Sequence, residues 1–176
     1  TLGLITSATN VFGFGERHVD RVEHMDKIRS LQNETVSKGN PGFTSFISWP
    51  VMLENNAFGR MGLRRNSTGL GAGAVEYLRH VSVSRIFMSN IDHIQSSWPT
   101  MGLEVAQIAL SADADDIGST MMEENVVSAS GTTKTMASVD ELEMAILQSG
   151  FVPAVRDSEY NILDVREQGL TTLKVG

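Results

Sequence analysis

Cysteine is absent from all 176 residues, which removes disulfides, thiolate nucleophiles and thiolate metal ligands from anything this chain supplies by itself. That absence also inclines the expected location toward the cytoplasm. Positive charge is scarce: 14 Lys and Arg against 21 Asp and Glu leave a formal charge of -7. A general nucleic-acid surface needs a dense basic patch to displace counterions. Arg64-Arg65 is the only adjacent basic pair, so nucleic acid is not an expected partner. No apolar run reaches the 18 or so residues that mark a membrane-spanning helix, and no basic stretch with an apolar core and cleavage site opens the chain. A membrane is therefore not an expected partner either. No His-x-x-x-His with a nearby Glu occurs, nor a Gly-x-Ser-x-Gly elbow, so neither a protein-only metal site nor a hydrolase triad is indicated.

What is present is an ordinary folded composition, 41% hydrophobic and 20% charged, in short apolar stretches that alternate with amphipathic ones. A strand is expected over Gly3–Phe12, ending in Gly13-Phe14-Gly15-Glu16. A helix follows over Val19–Glu34, with Val22, Met25, Ile28 and Leu31 along one face. Lys38-Gly39-Asn40-Pro41-Gly42 stops it, and Phe43–Trp49 reads as the next strand. The Asn- and Gly-rich stretch from Pro50 to Gly73 is longer than an ordinary connection, which points to function. Ala74–Met88 is helical, with Tyr77, Leu78, Val81, Ile86 and Phe87 toward the core. Ile91–Trp98 is a strand candidate, Leu103–Leu110 a helix, and Asp116–Met122 a short strand. Ser138-Val139-Asp140-Glu141 is a capping box that opens a last helix ending near Gly150.

This βα rhythm implies an α/β fold with a parallel sheet and outer helices. An eight-unit barrel takes about 250 residues, and about four units fit here. The expected fold class is accordingly the C-terminal part of a TIM-type (β/α) barrel, over residues 1–162, with 163–176 a tail of uncertain order. Thr1 is not Met, and the run from Leu2 to Phe14 reads as the middle of an architecture, so an upstream portion is expected.

In such folds binding groups gather where strands end. Four places qualify. Gly13-Phe14-Gly15-Glu16 lets backbone approach a ligand, although the third glycine of a dinucleotide fingerprint is missing; a tight turn beside a solvated Glu16 is the plainer reading. Trp49 with Glu54, Asn55 and Asn56 offers stacking and amide bonds to a heterocycle, or Trp49 merely closes the sheet end. In His93-Ile94-Gln95-Ser96-Ser97-Trp98, alternation puts His93, Gln95 and Ser97 on one side, although a lone His is more often structural than catalytic. Glu123 and Glu124 are adjacent and diverge, so they do not form a symmetric carboxylate pair, but one can face a pocket near a helix start.

Gly118-Ser-Thr-Met-Met-Glu-Glu-Asn-Val-Val127, His93-Ile-Gln-Ser-Ser-Trp98, Arg21-Val-Glu-His24 and Phe151-Val-Pro-Ala-Val-Arg-Asp157 together resemble the radical SAM family that contains cyclic dehypoxanthinyl futalosine synthase. The likeness runs to about Ile162. It implies a radical SAM barrel, a [4Fe-4S] cluster on a Cys-x-x-x-Cys-x-x-Cys loop, S-adenosyl-L-methionine, a nucleoside-derived substrate on the menaquinone route and a reducing electron donor. The cluster loop would belong to the missing N-terminal half of the barrel, leaving this chain inactive alone. The resemblance implies cofactor contacts at Thr9, Asn10, Gly13 and Glu16, and substrate-side groups at Gln95, Ser97, Glu123, Glu124 and Asn125. The catalytic candidates are Glu123, Glu124 and Gln95; Trp49, Asn55, His93, Ser97 and Asn125 are the substrate-binding ones. Asn10 and Val11 replace two methionines of the family pattern, Asp113 stands in place of a glycine, and Trp49-Pro50-Val51 departs from Phe-Gln-Pro. Aminofutalosine synthase, the deazaflavin-cofactor synthase subunit and a non-catalytic nucleoside-binding α/β protein are the alternative readings.

Overall fold

The computed structural model describes residues 4–54, 70–120 and 136–166. Strand β1 (Thr6–Phe12), helix α1 (His18–Ser37), strand β2 (Phe43–Pro50), helix α2 (Ala74–Phe87) and strand β3 (His93–Gln95) come first. A single helical turn α3 (Trp98–Met101), helix α4 (Leu103–Leu110), helix α5 (Val139–Gln148) and strands β4 (Ala154–Arg156) and β5 (Ile162–Val165) follow. The first three strands form a parallel sheet in the order β1-β2-β3, and β4 pairs antiparallel with β5. The second pairing runs across the expected boundary at residue 162.

The α/β class and parallel pairing are as expected, but the barrel is not. Closing a barrel requires every edge strand to find a neighbour. Among the described residues β1 pairs only with β2, and β3 gains only one bridge, from Gln95 to Asp116. The sheet is open. The expected strand from Asp116 reduces to that bridge, with Met121 and Met122 outside the described residues.

Alternation along the strands explains how the core is made. Ala8 is in register with Phe46, Asn10 with Ser48, and Phe12 with Pro50; all six are buried on the helix side. Phe12, Phe46 and Ile94 pack there with Met25 and Ile28 of α1 and with Tyr77 and Val81 of α2. A second cluster gathers Trp98, Ala106, Ile117, Leu142 and Ala145 around α4 and α5. The opposite face carries Thr9, Val11, Ile47 and Trp49, and no described helix covers it. Val11 and Trp49 remain 47% and 37% exposed.

Two expected core positions lie outside it. Leu31 is 49% and Ile86 is 79% exposed. A helix advances about 100° per residue, so nine residues rotate by half a turn. Leu31 is nine from Val22, and Ile86 nine from Tyr77. The buried residues follow steps of four, three and four on α1, at Arg21, Met25, Ile28 and Gln32, and on α2 they are Tyr77, His80, Val81 and Ser84, continued by Met88 at its C-cap. Ser138 caps α5 as expected: its hydroxyl accepts from the Glu141 N–H, and the Glu141 carboxylate accepts from the Ser138 N–H.

Gln32 shows why a polar residue occupies the buried stripe. Its carbonyl oxygen accepts the Phe43 N–H at 2.6 Å, and its amide donates to the Phe43 and Asn90 carbonyls at 3.0 and 3.2 Å. The side chain acts as a strand neighbour at the start of β2. Gly42 leaves the room, since a Cβ there would lie 2.4 Å from the Gln32 oxygen. Orphaning these buried backbone groups costs about 1–3 kcal/mol. Gln32→Leu is therefore expected to lower stability by about 2 kcal/mol, measured by urea unfolding, whereas Leu31→Gln on the exposed side is expected to leave it unchanged within about 0.5 kcal/mol.

Asp113, the position where the family pattern has glycine, adopts φ +68°, in the left-handed region that favours glycine. It ends the turn after α4, where the Ala114 N–H bonds the Ala109 carbonyl. Asp113→Gly is expected to raise stability by about 1 kcal/mol, a gain that the same urea titration resolves.

Candidate functional site

The β1–α1 connection is held by one carboxylate. Glu16 accepts the Gly13 N–H at 2.8 Å, the Phe14 N–H at 2.7 Å and the Arg21 Nε–H at 2.5 Å. Burial works to raise the Glu16 pKa, but hydrogen bonds from Gly13, its own backbone, Arg21 and Phe14 together hold it below the ordinary value. Arg21 is itself buried, reaches Glu76 at 2.7 Å, and stacks over the Phe12 ring at 4.7 Å. Gly13 has φ +95°, and a Cβ there would meet the Gly71 backbone at 3.0 Å. The Gly71 N–H donates to the Gly13 carbonyl, so the returning chain closes directly onto this turn. The plainer sequence reading, a solvated Glu16, does not describe it.

Beneath that turn sits a buried polar pair. The Asn10 amide nitrogen lies 3.2 Å from His80 Nε2. Desolvation first, then the Arg21 charge, push the His80 pKa down to about 4. The ring is neutral at pH 7, which leaves Nε2 able to accept from the Asn10 amide. The Asn10 carbonyl oxygen and the Ser48 hydroxyl, on residues in register, are buried without a hydrogen-bond partner among the described residues.

The uncovered face of the sheet brings together three of the residues that sequence reasoning singled out. Thr9 is in register with Ile47, and Ile47 with Gln95; one step further along the strands, Val11 is in register with Trp49. Thr9, Trp49 and Gln95 thus share one surface, Trp49 and Gln95 near the ends of β2 and β3 and Thr9 in the middle of β1. Gln95 lies against Gly118, where a Cβ would come within 2.9 Å of its amide nitrogen.

Of the other expected residues among those described, His93 alone lies on the same face. Asn10 points to the helix side. Ser97 is buried: its N–H donates to the Tyr77 hydroxyl at 2.7 Å, and its Oγ accepts from Thr100. His93 is on the uncovered face at the start of β3, where Nδ1 is 2.7 Å from Asp115 and the ring stacks on Tyr160 at 3.9 Å. Asn55, Glu123, Glu124 and Asn125 lie outside the described residues. Sequence reasoning missed Arg21, His80, Arg156 and Tyr160 as members of polar clusters. Arg21 alone carried a signal, as a charge within the buried stripe of α1; the others acquire partners only through long-range packing.

His80 generates a pH prediction. An unfolded histidine titrates near 6.5, and the folded one near 4. Between these values the unfolded chain binds a proton that the native chain refuses. Stability is expected to be complete above pH 6.5, to fall as pH drops toward 4 by roughly 3 kcal/mol, and then to level off. Urea unfolding across that range checks it against His80→Gln, whose total loss of stability from pH 6.5 to 4 should be smaller by that amount.

No group of three or more His, Cys, Asp or Glu that could hold a metal ion occurs among the described residues, and none of their helices is long and apolar enough to cross a membrane. With no cysteine in the sequence, a [4Fe-4S] cluster does not fit the donors this chain offers.

Comparison with known proteins gives these features a setting. The family model of the CofH/MqnC C-terminal region matches residues 40–169. Over 162 residues the chain is 40% identical to a cyclic dehypoxanthine futalosine synthase of Halalkalibacterium halodurans, covering 92% of this chain and 40% of that protein. It is 35% identical over 161 residues to an aminodeoxyfutalosine synthase of Thermus thermophilus, covering 90% and 41%. A 5-amino-6-(D-ribitylamino)uracil–L-tyrosine 4-hydroxyphenyl transferase of Methanosarcina acetivorans is 34% identical over 170 residues, covering 96% and 44%. The chain spans about two-fifths of the length of these relatives. It belongs to the CofH/MqnC family of radical SAM relatives and corresponds to that family's C-terminal region.

Proposed function

We propose that this chain forms the substrate-facing part of a radical SAM cyclase acting on a dehypoxanthine futalosine-type nucleoside. The observation that carries the reading is the surface that Trp49 and Gln95, near the ends of β2 and β3, share with Thr9 in the middle of β1, on a sheet whose other face is filled by helices. The 40% identity to a cyclic dehypoxanthine futalosine synthase favours this substrate over those of the 35% and 34% relatives. Aminodeoxyfutalosine synthesis and hydroxyphenyl transfer are the other reactions of the family and form the second reading.

The iron–sulfur cluster would have to be held by residues outside these 176, and no step is derived through it. S-adenosylmethionine supplies the hydrogen-abstracting radical in this family. Here Thr9 offers its hydroxyl, and the Gly13 turn, whose missing Cβ makes room for the Gly71 backbone, fixes the course of the chain beside it. Glu16 holds that turn through the Gly13 and Phe14 amides, and Asn10 braces β1 from the helix side through His80. The Trp49 ring, partly exposed at the strand end, stacks on a heterocycle. Gln95 presents an amide that both donates and accepts to the substrate's polar edge. His93 lies deeper on the same face. Glu123, Glu124, Asn125 and Asn55 are proposed to add acceptors and amides on the substrate side. Ser97, buried under Thr100, supports the loop after β3 rather than the ligand itself.

The native reading frame upstream of Thr1 is expected to encode a Cys-x-x-x-Cys-x-x-Cys loop. The complete protein, reconstituted anaerobically, is then expected to consume S-adenosylmethionine only with its own substrate among the three candidates, as product analysis identifies. Saturable nucleoside binding without S-adenosylmethionine consumption would instead support a non-catalytic binding protein. In the complete protein, Glu16→Ala is expected to lower S-adenosylmethionine turnover at least about tenfold by releasing the Gly13 turn; an unchanged rate removes Glu16 from the site.

A further inference from the structure

The stretch after α5 builds an unusual turn against the sheet. The Asp157 carboxylate accepts the Glu159 and Asn161 N–H groups and the Asn161 side-chain amide, closing a tight loop. At its apex Tyr160 adopts φ +66°, a backbone conformation that a bulky residue rarely takes. The ring it presents is held on both faces. His93 stacks on it at 3.9 Å with planes 8° apart, and the Arg156 guanidinium lies over it at 4.0 Å. Each holder is fixed in turn. His93 is bound to Asp115, which also accepts the Ile94 N–H and the Arg85 guanidinium. Arg156 is bound to Asp116 at 2.6 Å. The Tyr160 hydroxyl is buried beside Ser45 and Asp116.

The register places this stack. Ser45 pairs with His93, one row toward the strand starts from Ile47 and Gln95. Alternation turns all four side chains to the face that no helix covers. Ser45 is only 2% exposed, although Trp49, four residues along the same strand and on the same face, is 37% exposed. At the ordinary strand rise, Ser45 lies about 13 Å below Trp49. Over β2 and β3 the open surface therefore ends at the level of Tyr160, while on β1 Ser7 stays exposed.

We propose that Tyr160 is a specificity-determining residue whose ring closes the strand-start end of the uncovered face over β2 and β3 and sets how deep a ligand entering past Trp49 can reach along those strands. The role in ligand choice rests on that face being the substrate surface; the closure itself does not. His93 and Arg156 are positioning residues that act through the Tyr160 ring.

A chemical measurement of depth uses single substitutions on β2 of the complete protein, Ile47→Cys and Ser45→Cys. Iodoacetamide is the probe, and peptide mass analysis reads each position separately from any other thiol. With Tyr160 in place, the Ile47→Cys thiol is expected to react at least tenfold faster than the Ser45→Cys thiol. Adding Tyr160→Ala should raise the rate at position 45 about tenfold and leave position 47 unchanged. Tyr160→Phe, which keeps the ring and its stack, should leave both unchanged. Equal rates at 45 and 47 with Tyr160 present, or continued protection of 45 in Tyr160→Ala, overturns the closure. A parallel rise at 47 shows that Tyr160 holds the sheet together instead of bounding its face, and also overturns the proposal.

The role in specificity is read separately, with the substrate identified by product analysis. Tyr160→Ala is expected to raise KM about tenfold with kcat within twofold, and Tyr160→Phe to restore KM. Unchanged KM in Tyr160→Ala, with the closure confirmed by alkylation, overturns the specificity role alone. Alkylation reports on the closure whether or not the cyclase reading holds, so the two failures are distinguishable.

Discussion

Phe46, fully buried in the middle strand, is where the sheet and its helices meet. A parallel strand cannot return to its neighbour by a tight turn; each crossover needs a longer connection, here α1 and α2, and those helices must bury an apolar stripe. Phe12, Phe46 and Ile94 supply one half of that burial, and Met25, Tyr77 and Val81 the other. With α1 and α2 committed to this side, the alternate residues of the same strands are left facing outward. Thr9, Trp49 and Gln95 share a surface because Phe46 and its neighbours do not.

Polar chemistry is organised around this division. On the helix side, Arg21 is a buried cation that survives by pairing with two carboxylates, and Glu16 transmits that anchoring to the Gly13 amide. Pairing of this kind specifies geometry more reliably than it adds stability. His80 close by remains neutral, since desolvation and the neighbouring guanidinium both oppose a second positive charge. On the outer side, Arg156, Tyr160 and His93 form a stack whose members are each bound to one carboxylate of the Asp115-Asp116 pair or lie between two that are. One network fixes a turn at the strand ends, and the other closes the surface near the strand starts.

Much of the architecture was legible along the chain. A short apolar segment marked β1 and an aromatic and β-branched run marked β2, glycine and capping signals marked α1 and α5, and short-range rules of this kind need only neighbouring residues. Steps of three in α1 misled at Leu31, because a helix turns by 3.6 residues and the stripe passes to Gln32, a polar side chain that composition alone assigns to solvent. The barrel failed for a different reason: βα alternation reports the local unit but carries no information on closure, which depends on neighbours for β1 and β3. Trp49 and Gln95 were found by their places at strand ends and Thr9 by the family resemblance, and only their register showed them on one face. Tyr160 gave no signal, as its partners His93 and Ser45 lie 67 and 115 residues away.

By itself the sequence determined that this chain offers no thiolate, that it alternates strands and helices, and that its motifs belong to one enzyme family. These properties are carried by residue type and by spacing within a few positions. Tertiary structure alone decided that the sheet is open, that Arg21 and His80 are buried as partners of Glu16 and Asn10, and that Tyr160 bounds the face on which Trp49 lies. Each of those depends on contacts between distant segments, where desolvation and packing geometry, rather than local propensity, select the outcome.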